Sequence, residues 1–169
     1  MIKQSKISVR HLVEFILRRG SIDNRKKSNH TALEGARIHR KLQKDAGENY
    51  EKEVFLKTTV QLDEYHLIVE GRADGIFKRD GIYYIDEIKT SEPRFEDLEP
   101  EQVELFFHQA RVYAYIYSQE HDLQEINLQL TYFQTAEEVI TRKVEHQTRE
   151  QLETFFKKLT EDYKEWLVF

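Results

Sequence analysis

The spacing of apolar and polar positions predicts four helices in this chain. Residues 8–19 carry an apolar stripe that ends at Gly20, a residue type that commonly stops helices. Residues 21–30 then form a polar, basic connection. Capping-box spacing marks the start of two helices, at Thr31 and at Thr148. The predicted helices are residues 8–19, 31–43, 101–119 and 148–167.

Alternation of apolar and polar residues predicts five strands. Three strands follow the second helix, and two form a hairpin between the third and fourth helices. Turn residues at 63–64 and 79–81 separate the first three. Gly71 and Gly75 indicate a bulge or bend within the long middle strand. The predicted strands are residues 53–62, 65–77, 82–89, 123–135 and 138–146.

Together these elements predict an α/β fold, with a central mixed, largely antiparallel sheet of about five strands flanked by helices. A length of 169 residues suits one domain spanning residues 1–169, because no repeat or linker divides it. The chain has no cysteine, which excludes disulfides, thiolate zinc sites and cysteine-bound iron–sulfur clusters. No stretch approaches the ~20 apolar residues of a membrane span. We therefore expect no membrane partner and a cytoplasmic location.

The formal net charge of −5 argues mildly against a nucleic-acid-binding protein, because phosphate contacts need lysine and arginine. The charge is unevenly distributed, however. Basic residues gather early in the chain, whereas residues 92–104 are acidic. On the second helix a basic group surrounds His39, and by itself it is typical of a solvated helix face. Its members are Arg37, Arg40, Lys41 and Lys44.

A compact set of charged residues lies at the end of the strand predicted for residues 82–89. Glu87 and Lys89 are two positions apart, so their side chains point to the same face of the strand. Asp74 lies 13 positions before Glu87, ahead of the turn that leads into this strand. Two carboxylates and an ammonium in one place can hold a hard divalent cation, as metal-assisted phosphodiester hydrolysis requires.

The acid-x-Lys spacing alone is not specific. A second such triplet occupies residues 162–164 on the last helix, where side chains two apart do not face each other. A structural interpretation of the first triplet also stays open, namely a same-face ion pair with Asp74 as an ordinary turn residue. The aliphatic neighbours favour a site, because charges there are costly unless paired or bound to metal. By alternation, Asp86 faces away from Glu87 and is predicted to be structural or supporting.

Three further polar residues are each spaced four positions from another residue that helix geometry places on the same face. His39 lies four residues after Gly35 on one helix face, and the glycine would let another backbone approach. Gln109 and Tyr113 are four apart on one face of the third helix. Taken singly, none of them indicates a site. A lone helical histidine is usually structural or solvated, and a glutamine and a tyrosine at a core-facing helix edge usually have a hydrogen-bonded amide and phenol.

Taken as a set, these residues resemble the RecB-type branch of the PD-(D/E)xK nuclease superfamily. A GxxxH motif ending at His39 comes first, then Asp74 and the Glu87-Ile88-Lys89 triplet, then QxxxY from Gln109. The resemblance covers about residues 31–118. Ala73 replaces the proline that names the superfamily, as is common in this branch. The four cysteines of the iron–sulfur members are missing, so no cluster is expected.

The resemblance implies a restriction-endonuclease-like fold and a metal-dependent nuclease. Asp74 and Glu87 would bind Mg²⁺ or Mn²⁺, and His39 and the backbone carbonyl of Ile88 would add ligands. Imidazole together with carboxylates suits Mn²⁺ better than Ca²⁺. The remaining residues would act on the water, the phosphate or the DNA. They are Lys89 for the attacking water or the developing charge, Gln109 and Tyr113 for positioning, and Arg37, Arg40, Lys41 and Lys44 for guiding the DNA backbone.

The expected activity is hydrolysis of DNA phosphodiester bonds, on single-stranded or duplex DNA, in repair or recombination. RecB-type domains are commonly attached to helicases. Both the opening KISVRHLVEFILRRGSI and the closing DYKEWLVF also resemble the N-terminal nuclease part of bacterial DinG/XPD-like helicases, which implies a domain excised from a longer chain. Three alternatives stay open: a non-catalytic DNA-binding module of the same fold, a protein-interaction domain, and an RNA nuclease. The choice between exonuclease and endonuclease action also stays open.

Overall fold

The structure, a computed structural model, describes residues 3–18 and 29–167. This part of the chain forms six strands, four α-helices and one 3₁₀ turn. The strands are β1 (Lys3–Ser8), β2 (Glu51–Leu62), β3 (Tyr65–Arg79), β4 (Ile82–Ser91), β5 (Glu125–Gln134) and β6 (Val139–Thr148). The helices are α1 (Val9–Arg18), α2 (Asn29–Asp45), α3 (Pro100–His121) and α4 (Arg149–Leu167). None of these described helices has the length and apolarity needed to cross a membrane.

All six strands join one mixed sheet, whose centre is the long strand β3. One edge of β3 pairs with the antiparallel strand β2. The other edge pairs first with β1, which is parallel to residues 65–70, and then with β4, which is antiparallel to residues 75–79. β4 is parallel to β5 across the α3 connection, and β5 and β6 form an antiparallel hairpin. The predicted α/β class, with a mixed sheet flanked by helices, is confirmed.

Different helices cover the two faces of the sheet. α3 packs on β4 and β5, and α1 and α4 pack on α3, so these three helices cover one face. The main core lies beneath them, and its fully buried side chains include Leu12, Val13, Leu67, Val69, Ile85, Ala114, Leu128 and Leu152.

The opposite face is covered by α2, which packs on β4. Thr90 belongs to this face, because strand residues alternate and Ile85 points into the main core. A Cβ added at Gly35 would lie only 2.9 Å from Thr90 Oγ1. Gly35 therefore allows the close approach of α2 to the sheet that its position before His39 suggested.

Two sequence-based expectations need correction. β1 is a sixth strand that the apolar pattern misses, because a six-residue segment with Ile7 as its one aliphatic residue carries little periodic signal. Its parallel pairing with β3 supplies the missing stabilisation. Helix α2 begins at Asn29, so Thr31 is not its cap residue. Gly20 and residues 21–28 of the predicted connection lie outside the described residues.

Other local predictions are confirmed. The hairpin of β5 and β6 turns at residues 135–138, and turns also occur at residues 63–64 and 80–81. At the start of α4 the backbone N–H of Gln151 donates to Thr148 Oγ1 at 3.2 Å, and the backbone N–H of Thr148 donates to Gln151 Oε1 at 2.9 Å. This reciprocal pair is the predicted capping box.

Candidate active site

A gap in the sheet lies between β3 and β4. The β1 pairing with β3 ends at Glu70, and the β4 pairing begins at Gly75, so residues 71–74 have no strand partner on that edge among the described residues. Beyond Asp86, β4 continues to Ser91 beside β5 alone. We call this opening, bordered by residues 71–74 of β3 and 87–91 of β4, the β3–β4 gap.

Asp74 bridges the β3–β4 gap. Its Oδ2 accepts a hydrogen bond from the backbone N–H of Ile88 at 2.7 Å. The N–H and C=O groups of one strand residue point to the same edge, so the Ile88 carbonyl also faces the gap. On the other side of Asp74, its Oδ1 lies 3.9 Å from Nδ1 of His39 on α2. Asp74, the Ile88 carbonyl and His39 therefore surround one small volume.

The strand backbone is irregular where it presents Asp74. The β2–β3 register is the same on both sides, but Glu53 and Asp74 are skipped as partners. Glu53 adopts a φ of 52°, a left-handed conformation that costs a residue with a side chain free energy. The alternation of β3 also changes here, because Ala73 and Ile76 both point into the main core. Asp74 is thus turned aside from the regular pleat.

Gln43 of α2 occupies the position of the interrupted pairing. Its Nε2 donates to the backbone carbonyl of Asp74 at 2.8 Å and to Glu53 Oε2 at 2.6 Å. The side chain is only 5% exposed. Sequence reasoning missed both Gln43 and Glu53, although Gln43 lies four residues after His39 and therefore on the same helix face.

Glu87 and Lys89 lie on the α3 side of the gap. Lys89 Nζ is 3.1 Å from Glu87 Oε2, so the two side chains share a face, as alternation predicted. The ammonium also lies 5.4 Å from the ring centre of Phe106 on α3. This pair closes the gap from the face opposite α2.

Gln109 and Tyr113 follow Phe106 along the same side of α3. Both are nearly buried, at 4% and 7% exposure. The Tyr113 hydroxyl lies 2.6 Å from where a Cβ of Gly71 would be, which places it at the border of the gap. Neither side chain makes a hydrogen bond to another residue that the structure describes.

Asp86 belongs to a different cluster, on the α2 side of the sheet. Its Oδ2 accepts from the Tyr50 hydroxyl at 2.7 Å, and its Oδ1 accepts from Thr131 Oγ1 at 2.6 Å and Gln129 Nε2 at 3.2 Å. The expectation that Asp86 faces away from Glu87 is confirmed by these contacts. A buried carboxylate with three donors is well satisfied by the protein itself.

The two carboxyls at the gap resist ionisation. Burial raises the pKa of Asp74 to about 6, while the Ile88 N–H and the Lys89 ammonium act in the opposite direction. Burial raises the pKa of Glu87 to about 7, opposed by Lys89 and reinforced by Asp74. Burial and Lys89 lower the pKa of His39, which favours the neutral imidazole that metals bind. A cation in the gap would offset the cost of ionising both acids.

The donor types fit a hard or borderline divalent cation. Octahedral Mg²⁺ or Mn²⁺ holds its ligands at about 2.1 Å, so two ligand atoms of one ion are about 3.0 to 4.2 Å apart. The 3.9 Å between His39 Nδ1 and Asp74 Oδ1 falls in this span. Glu87 Oε2 instead faces Lys89. Among residues 3–18 and 29–167, no three His, Cys, Asp or Glu side chains converge as a metal cluster.

The second acid-x-Lys triplet provides a contrast. Asp162 pairs with Lys158 on the surface of α4, and Lys164 pairs with Asp63 in the turn between β2 and β3. The acid and the lysine of this triplet therefore point apart, as expected on a helix. The basic residues around His39 are exposed on α2, and Lys41 lies 3.9 Å from Asp45. These exposed residues are Arg37, Arg40, Lys41 and Lys44.

Comparison with known proteins agrees with the fold and with the superfamily resemblance. The family model of the PD-(D/E)XK nuclease superfamily matches residues 8–168. The chain therefore belongs to the PD-(D/E)XK nuclease superfamily, whose members are usually metal-dependent nucleases. The solved structure of SSO0001 is similar in fold, with a TM-score of 0.59 and 18% sequence identity over 92% of this chain and 75% of the other. No curated protein matches the sequence significantly.

Proposed function

We propose that the protein is a metal-dependent deoxyribonuclease whose active site is the β3–β4 gap. The observation that carries the proposal is the hydrogen bond from Ile88 N–H to Asp74, because it joins the acid of β3 to the Glu87-Ile88-Lys89 triplet of β4. His39 approaches this point from α2, and Tyr113 approaches it from α3. Residues from four elements thus meet at one opening in the sheet.

In this proposal Asp74, Glu87, His39 and the Ile88 carbonyl would hold Mg²⁺ or Mn²⁺. The bound ion would supply the charge that polarises the scissile phosphate and lowers the pKa of the attacking water. Neutral His39 and the Ile88 carbonyl would contribute lone pairs without adding charge. Carboxylates with raised pKa values would favour ion binding as the pH rises towards neutrality.

Lys89 would orient the attacking water or stabilise the negative charge that develops on the phosphate oxygens. Its contact with Glu87 holds the ammonium at the strand end. Gln109 and Tyr113 would position the lysine, the water or a DNA phosphate. Both side chains are nearly buried and make no hydrogen bond to a described residue, and neither amide nor hydroxyl is a buried atom lacking a partner, so both groups are accessible to a water or a ligand at the gap.

A RecB-type role in DNA repair or recombination, coupled to a helicase, is the finer form of the proposal. The support for it is the order of GxxxH, the Asp74 acid, acid-x-Lys and QxxxY along one chain. The resemblance of residues 6–22 and 162–169 to helicase-associated nuclease domains includes segments outside the described residues. The basic residues of α2 flank His39, which supports α2 as the guide for the DNA backbone.

The test is cleavage of end-labelled single-stranded, duplex and flap DNA with Mg²⁺, with Mn²⁺ and with chelator. We expect metal-dependent products, and a ladder from one labelled end would define polarity and mode. Asp74→Asn, Glu87→Gln and Lys89→Met should each lower the cleavage rate by about 10²-fold or more. Asp162→Asn and Lys164→Met, in the helical triplet, are the matched controls and should cleave normally.

The result that contradicts the proposal is a folded wild-type protein that binds DNA and cleaves under neither cation. Such a protein would be the non-catalytic DNA-binding module considered above. Loss of cleavage in the helical-triplet controls would also count against the assignment, since their charges point away from the gap. Comparing DNA with RNA of the same sequence in this assay separates the deoxyribonuclease from the ribonuclease alternative.

A further inference from the structure

The main chain of Asp74 is hydrogen-bonded by Gln43, a side chain outside the set implied by the superfamily resemblance. Its carboxylate is fixed by Ile88 N–H, but its main chain lies at the interrupted β2–β3 pairing. The carbonyl of Asp74 accepts its hydrogen bond from Gln43 Nε2 at 2.8 Å. A side chain on α2 thus provides what a neighbouring strand provides elsewhere in β3.

Gln43 is in turn held by Glu53. The second N–H of its amide donates to Glu53 Oε2 at 2.6 Å, a short bond to a charged acceptor. Glu53 is the residue whose left-handed backbone breaks the ladder, so the residue that removes the strand partner of Asp74 also fixes the replacement. Strain of this kind persists only where surrounding contacts over-determine it.

Helix geometry links this arrangement to His39. Residues four apart lie on one helix face, so His39 and Gln43 approach the same aspartate from α2. His39 faces the carboxylate at 3.9 Å, whereas Gln43 bonds to the carbonyl. The helix therefore contacts both the side chain and the main chain of Asp74.

We propose that Gln43 is a positioning residue of the site: its amide, held by Glu53, fixes the Asp74 main chain so that the carboxylate projects into the β3–β4 gap. The expected effect on affinity for a divalent cation rests on the proposed function. The positioning of Asp74 by Gln43 applies to the metal-free protein as well. Groups that orient ligands typically change metal affinity by about 10- to 100-fold when they are removed.

The experiment uses Gln43→Leu, which keeps the size of the side chain and removes its donors. Calorimetry with Mn²⁺ should show an affinity about 10-fold or more weaker than wild type. In the metal-free protein, hydrogen exchange of the Ile88 amide should become faster, because its acceptor Asp74 is less well held. Cleavage should show a lower kcat with little change in KM for DNA. Gln61→Leu, at the exposed far end of β2, is the control and should match wild type.

A charge-swapped double variant distinguishes positioning of Asp74 by Gln43 from a hydrogen bond that merely links α2 to β2. Gln43→Glu with Glu53→Gln restores a hydrogen bond between the two side chains with donor and acceptor exchanged. It leaves the Asp74 carbonyl without a donor. We expect thermal stability to recover towards wild type while Mn²⁺ affinity and Ile88 protection stay low. Recovery of all three would overturn the proposal, because the link between the elements would then suffice.

Glu53→Ala provides a second measurement should Gln43→Leu fold poorly. It frees the Gln43 amide without removing it, so Mn²⁺ affinity should fall by less than in Gln43→Leu. Wild-type Ile88 exchange in Gln43→Leu, or in Glu53→Ala where the former does not fold, would contradict the inference. A wild-type protein that binds no Mn²⁺ would contradict the proposed function instead, while Ile88 exchange would still decide the role of Gln43.

Discussion

Single residues at the β3–β4 gap differ in how their charge is compensated. Asp74 and Glu87 are buried acids with raised pKa values, whereas neighbouring Asp86 is buried with three hydrogen-bond donors. The two arrangements have opposite consequences. An acid that resists ionisation is suited to receive a cation, and an acid satisfied by protein donors is suited to hold strands together.

Asp74→Asn should stabilise the metal-free protein at pH 7 but not at pH 4. Folding raises the pKa of Asp74 from 3.8 to about 6, so the folded state binds the proton more tightly. The free energy of unfolding therefore falls as the pH rises through this interval. Asparagine does not ionise and can still accept from Ile88, so we expect a gain of about 1–3 kcal/mol at pH 7. Urea unfolding in chelator at both pH values measures it, and an equal effect at both would contradict the prediction.

Asp86→Asn and Glu87→Gln form a matched pair of adjacent substitutions. Asp86→Asn should lower the free energy of unfolding by about 1–3 kcal/mol, because an amide cannot accept from three donors as the carboxylate does. Mn²⁺ binding should persist in the folded fraction. Glu87→Gln should weaken Mn²⁺ binding with a smaller stability loss. Calorimetry and urea unfolding together test the pair, and a reversed pattern would exchange the roles assigned to the two acids.

At the scale of elements, the gap exists because β3 is longer than either of its partners on one edge. β1 covers its first part and β4 its last, and the four residues between them remain open to α2 and α3. Two glycines of β3 permit close packing at its borders. Gly71 lies under the Tyr113 hydroxyl, and Gly75 lies under the Tyr50 ring.

Gly75→Ala should destabilise the packing of Tyr50 on β3. A Cβ at this position would overlap the Tyr50 ring, which also donates to Asp86. Displacing the ring breaks that bond, so we expect a loss of about 1–3 kcal/mol. In a Tyr50→Ala background the same substitution should cost much less, giving a coupling energy of about 1 kcal/mol or more in a double-mutant cycle. Additive losses would show that the two residues are independent.

At the scale of the whole molecule, a net charge of −5 coexists with a basic helix beside the proposed site. The exposed bases of α2 face away from the main core, on the side of the sheet opposite α4. Phosphate binding by such a patch depends on local charge and on salt rather than on net charge.

Removing the α2 bases should weaken DNA binding and reduce its salt dependence. For a variant with alanine at Arg37, Arg40, Lys41 and Lys44, the slope of log K against log salt should become shallower by up to about 0.9 for each phosphate that the helix no longer neutralises. Fluorescence anisotropy on an inactive Asp74→Asn background measures this. Lys157→Ala with Lys158→Ala, on α4, removes exposed charge from the other side and should leave the slope unchanged.

The sequence by itself determined the elements with strong periodicity and the order of the motifs along them. Alternation also determined that Glu87 and Lys89 share a face and that Asp86 does not, because strand geometry is local. The sequence did not predict β1, because its six residues have little apolar content and form a strand only by pairing with β3. The superfamily follows from the same local patterns, and the family model bears it out.

Only the tertiary structure decided how the gap forms and what holds Asp74 in it. Gln43 and the carbonyl it binds are 31 positions apart, and the N–H that binds the Asp74 carboxylate is 14 positions away. Neither contact has a signature in spacing, since the first requires α2 to pack beside β3 and the second requires β4 to lie beside β3. Residue types and local periods are read along the chain, whereas the free energy of these contacts depends on which distant segments fold against each other.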